Sequence, residues 1–167
     1  MKSFASAPLR TPPALPHSLR QFLGAQSVSL PAGTLVKGLD GSFPVEDLRP
    51  GNLVASRRGE ACVAAVRSRQ ALVQAVGFAP AEGSSAPGLI LPWDQKLLIR
   101  GWRAQAMFGQ PQAVVPAYEL ADGESARDLG LRMLTLHILE FDRPHVISAG
   151  GMELAAAQAA GGLRPAA

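Results

Sequence analysis

Glycine and proline break this chain at short intervals. The 167 residues contain 17 Gly and 14 Pro, nearly a fifth of the total. Such punctuation excludes a bundle of long helices and favours short strands joined by turns. Apolar residues make up 47%, too many for a disordered chain, and the length suits one domain with a real core.

The strand signals alternate with turn signals. Thr34–Lys37 reads as a strand, Asp40-Gly41 as a hairpin turn, and Val45–Leu48 leads to a second turn at Pro50-Gly51. Leu53–Ala55, Ala61–Val66 and Leu72–Phe78 read as three more strands. Ala79–Gly88 reads as a loop. Leu89–Leu91 and Leu97–Ile99 flank a Pro92–Gln95 turn. Trp102–Phe108 has the length of one or two helical turns stopped by Gly109. Val114-Val115 reads as a strand and Ala117–Leu120 as a short helix. Met133–Phe141 and His145–Ala149 are predicted strands around Asp142-Arg143-Pro144, and Met152–Ala160 is predicted as a C-terminal helix before Gly161-Gly162. The fold expected is mostly β.

Charge is unevenly placed. Residues 1–28 hold Lys2, Arg10 and Arg20 and no acid, whereas the rest carries 13 basic and 13 acidic residues. The net charge of +3 therefore belongs to a proline-rich arm, read as a flexible linker. A neutral body whose only basic clusters are Arg57-Arg58 and Arg67/Arg69 does not predict nucleic-acid binding. No apolar run reaches the roughly 18 residues of a membrane span. The arm has no signal-peptide core, which favours a cytoplasmic location. Cys62 is the single cysteine, and it reads as a small buried apolar residue; Trp93 and Trp102 read as packing residues. His17, His137 and His145 are too scattered for a metal site. Neither a metal nor a cofactor is expected.

Three segments in order resemble a family. Ser29-Leu30-Pro31-Ala32-Gly33-Thr34, the Asp40-Gly41 turn and Val45-Glu46-Asp47-Leu48-Arg49-Pro50-Gly51-Asn52-Leu53-Val54 form the first. Pro92-Trp93-Asp94-Gln95-Lys96 running on to Gly101-Trp102-Arg103-Ala104 forms the second. His137 to Gly151, with Phe141-Asp142-Arg143-Pro144-His145-Val146 at its centre, forms the third. Together they resemble a Hint domain, the hedgehog/intein fold, in its compact bacterial form. The resemblance implies a horseshoe of short strands with pseudo-two-fold symmetry over residues 29–153, followed by a short helix and tail at 154–167.

The resemblance also implies a reaction. In the family the first residue attacks the carbonyl just before it, turning an amide into a thioester, and histidines move the protons. Here the nucleophile position is Ser29, the middle histidine is replaced by Gln95, and the last aligns with Pro144. A hydroxyl needs a base, and neither Gln nor Pro titrates. His137 and His145 are candidate substitute bases, though both also suit structural roles, and Asp94 suits either a stand-in base or a turn cap. The single Asn, Asn52, lies near the start, so the terminal Asn cyclisation of splicing is not expected. The leading expectation is a degenerate Hint domain without efficient self-splicing or self-cleavage, acting as a structural or binding module for a protein partner not named by the sequence. The alternative is Ser29-dependent autoproteolysis at Val28–Ser29 by an N-to-O acyl shift. A third reading is anion binding through the basic arm.

Overall fold

The computed structural model describes residues 26–80 and 88–156. The arm up to residue 25, residues 81–87 of the expected loop and residues 157–160 of the expected C-terminal helix lie outside the described residues. Within the described residues eleven strands run in chain order: β1 (Ser27–Pro31), β2 (Leu35–Lys37), β3 (Ser42–Pro44), β4 (Leu53–Ser56), β5 (Gly59–Phe78), β6 (Leu89–Pro92), β7 (Lys96–Arg100), β8 (Gln112–Pro116), β9 (Ala126–Phe141), β10 (His145–Ala149) and β11 (Met152–Ala156). Among the described residues, one α-helix, α1 (Trp102–Phe108), lies between β7 and β8, and single 3-10 turns cover Val45–Asp47 and Ala117–Leu120.

All strand pairs are antiparallel, and the main path runs β1-β9-β5-β4-β10-β11-β7-β8. The β2–β3 hairpin joins through β10, and β6 joins through β5. The sheet curls into a half-barrel. Its concave core holds Val28, Leu30, Val36, Val54, Leu91, Leu97, Leu139 and Leu154, all fully buried.

The spine of the sheet is the long β5–β9 pair, from Val63↔Phe141 to Phe78↔Ala126. Most of their length falls in the only two stretches of more than ten residues without Gly or Pro, 60–76 and 131–143. The two strands expected at Ala61–Val66 and Leu72–Phe78 are thus one. The polar run Arg67–Gln70 between them has no breaker, and β9 pairs across it without interruption. Irregularities at Val63/Ala65 and Ala75/Val76 bend the strand instead.

Several expectations hold. The Asp40-Gly41 turn closes β2 on β3, and α1 ends at Gly109, whose φ of 68° supplies a left-handed cap. Others need correction. Met152–Ala156 is a strand and not the start of a helix. Its Ala-rich sequence favours a helix locally, but the slot between β10 and β7 buries Leu154, Ala155 and Ala156, and ladder pairing overrides propensity. Ser27 and Val28 belong to β1, so the sheet begins before the expected boundary at 28/29. Trp102 is 81% exposed, because α1 turns Ala104 inward in its place. Cys62 is exposed on β5, while its neighbours Ala61 and Val63 point into the core.

Candidate functional site

β1 lies at the end of the strand path, with β9 on one side. Its ladder fixes which groups face out. Phe141 N–H donates to Gln26 O at 3.0 Å and Ala32 N–H to Thr135 O at 2.9 Å. Antiparallel bonds alternate, so the even-numbered residues of β1 bond to β9 and the Ser29 N–H points to the open edge. There it donates to Gln95 Oε1 at 2.8 Å.

The turn between β6 and β7 delivers Gln95 to that place. Gln95 N–H donates to Pro92 O at 3.0 Å, and Gln95 O accepts from Ala117 N–H at 2.9 Å. Trp93 is tied by its N–H to Gln74 O and by its carbonyl to Tyr118 N–H, and the two rings lie 5.0 Å apart. Held at both ends, the turn sends Gln95 inward, 6% exposed, and leaves Asp94 on the surface. Gln95 Nε2 donates to Lys96 O at 2.9 Å. The two partners fix the amide's orientation, since an N–H needs the oxygen and a carbonyl needs the nitrogen.

Register separates the remaining candidates from Ser29. Side chains directly opposite across a ladder share a face, and Ser29 is opposite Ile138. His137 is opposite Leu30 and Ser68, on the other face, within electrostatic reach of Glu46. Glu46 also accepts the Gly33 N–H at 2.8 Å, which holds its carboxyl below the usual range. His145 packs edge-on against the Phe141 ring, 5.7 Å between centroids, and Phe141 shares the face of His137. Its Nδ1 is buried without a partner, and Nε2 lies 4.0 Å from Asp142 Oδ1. Burial pushes the His145 imidazole below its ordinary range, against the pull of Asp142. Pro144 is exposed in the β9–β10 turn.

Of the five candidates, the structure brings Ser29 and Gln95 together and leaves Asp94, His137 and His145 apart from the hydroxyl's face. One titratable group on that face escaped the sequence reading. Glu140 is opposite Ser27, one alternation from Ile138, and its Oε2 lies 3.4 Å from Arg67 Nε. Only the register, which spans more than a hundred residues of sequence, reveals it.

The first-position residue thus lies on the end strand β1, with its amide held by the middle-segment residue. A family model described as Hint domain matches residues 28–159. The chain belongs to the Hint domain family. Among solved structures, this Hint domain is similar to a gp41-1 intein variant, with a TM-score of 0.54 and 14% identity over 75% of this chain and 97% of that one. It is also similar to the bacterial intein-like domain from Clostridium thermocellum, with a TM-score of 0.53 and 15% identity over 77% and 96% of the two chains. The MchDnaB-1 intein gives 0.50 and 16% identity over 75% and 98%. At these identities the likeness shows the fold. No curated protein matches.

Proposed function

We propose that this Hint domain is silent in self-cleavage and serves as a binding module. The observation that carries the reading is the Ser29 N–H···Oε1 Gln95 bond of 2.8 Å. An N-to-O acyl shift requires Ser29 Oγ to lose its proton, attack Val28 C, and expel Ser29 N as a protonated amine. The group beside that nitrogen must therefore donate a proton. Gln95 presents an oxygen that only accepts, and its donor nitrogen is engaged by Lys96 O. The contact stabilises the intact amide N–H.

The hydroxyl side fares no better. His137 is on the opposite face of the β1–β9 ladder, His145 packs against Phe141 of that same face, and Glu140 is paired with Arg67. A serine hydroxyl without a base is a weak nucleophile near neutral pH.

Intact mass tests this. The purified chain, fresh and after prolonged incubation with hydroxylamine, is expected to stay at 17.5 kDa. Growth of a fragment beginning at Ser29, abolished by Ser29→Ala, would establish Ser29-dependent autoproteolysis in its place.

A further inference from the structure

We infer that the groove between the β2–β3 hairpin and the start of β4 is a docking site for a peptide segment that presents one large apolar side chain flanked by cations. The groove has a volume of about 290 Å³. That lies just below the ~300–1,000 Å³ of small-molecule pockets, so it suits a single side chain better than a cofactor. Its floor is the buried Leu48, and its walls are Leu39, Phe43 and Leu53, exposed by 51%, 45% and 36%. Three large apolar side chains left open around one hollow are the mark of an interaction surface more than of a solvated one.

The walls are held in place. A Cβ at Gly38 would lie 2.6 Å from Phe43 Cε2, so the ring packs against backbone that glycine leaves bare. Asn52 Oδ1 accepts the Arg49 N–H at 2.7 Å and fixes the far rim.

Charge selects the occupant. Asp40 and Asp47 line the groove, and no cation does. The nearby Arg49 turns its guanidinium onto the carbonyls of Glu46 and Leu48, at 2.8 and 3.0 Å. An acidic rim on a body of zero net charge favours Lys or Arg beside the apolar anchor and disfavours an acidic segment. The inference rests on the binding-module reading. Its readout is separate, because a chain that stays whole at 17.5 kDa can still fail to bind.

The test is a titration of the ¹⁵N-labelled full chain with three capped heptapeptides that carry Arg-Phe-Arg, Arg-Ala-Arg or Glu-Phe-Glu between glycines. The Arg-Phe-Arg peptide is expected to move the amide signals of Leu39, Asp40, Phe43 and Leu53 to saturation. The Ala peptide should bind about tenfold more weakly, from the lost aromatic burial. The Glu peptide should bind about fivefold more weakly. Asp40→Asn with Asp47→Asn should erase the Arg-over-Glu preference while keeping the Phe-over-Ala one. Three results would each overturn the proposal: equal binding of all three peptides, shifts centred away from the groove, or peptide-free shifts of these same amides with protein concentration, which would mark a second copy as the occupant. The wild-type titration decides the matter even if a variant fails to fold.

Discussion

At the scale of single residues, the site turns on what Gln95 can give to Ser29 N. It gives a lone pair, and the family reaction asks for a proton. Ser29→Cys alone is therefore expected to cleave little, because a better nucleophile still faces a poor amine leaving group. Ser29→Cys with Gln95→His should give thiol-induced cleavage between residues 28 and 29, read as the cleaved fraction by mass spectrometry with dithiothreitol. A double variant that folds and stays whole, beside a single variant that cleaves readily, would show that position 95 does not serve this bond. His145 carries a second prediction. Its folded-state pKa lies below its ordinary 6.5, so the unfolded chain binds the extra proton more readily. Stability present above about pH 6.5 should fall as the pH drops toward the folded value, with Asp142 opposing and Arg143 and Arg58 reinforcing the depression. Urea midpoints at pH 7.5 and 5.5 should differ less in His145→Phe than in the wild type. The ordered segments singled out Ser29 and Gln95, which do meet, and Pro144, which lies exposed in the β9–β10 turn. Faces were not legible, since the side of β1 on which His137 lies depends on a one-residue choice of register that no local pattern sets.

Elements obey their neighbours before their own propensities. The turns were readable because Asp40-Gly41 and Gly109 demand particular backbone angles. β11 was not, because an Ala-rich run has no preference strong enough to resist a slot between two strands. Leu154 sits fully buried at its centre, opposite Ile147 on β10 and Leu97 on β7. Leu154→Ala is expected to cost about 2–5 kcal/mol, by lost burial and the cavity left behind. The corresponding change at the half-exposed Leu35 on β2 should cost well under half as much. Equal urea midpoints for the two variants would mean that β11 is not the buried strand between β10 and β7.

Over the whole molecule, distant parts of the sequence are stitched together. Ser27 pairs with Glu140, and β4 pairs with β10. Loop closure on this scale must precede most of the stabilising contacts, so folding should be slow for the size of the domain, in the millisecond-to-second range typical of β topologies. Stopped-flow refolding followed by Trp93 and Trp102 fluorescence measures this, and a dominant microsecond phase would contradict it. The mostly β class was plain from composition and punctuation. The fusion of two expected strands into β5 was not, because a polar stretch without Gly or Pro can equally be a loop or the exposed middle of a long ribbon.

The first strand has one more consequence. The Val28–Ser29 bond lies inside β1, with Val28 and Leu30 fully buried on either side and Gln26 O still bonded to Phe141 N–H. A domain that discards its upstream neighbour would keep the severed bond at a frayed border. Here a break would be a nick within a wall. While the acyl group remained an ester on Ser29 Oγ, its carbonyl would stay beside the amine just freed, and the chain would revert to the amide more readily than it would part.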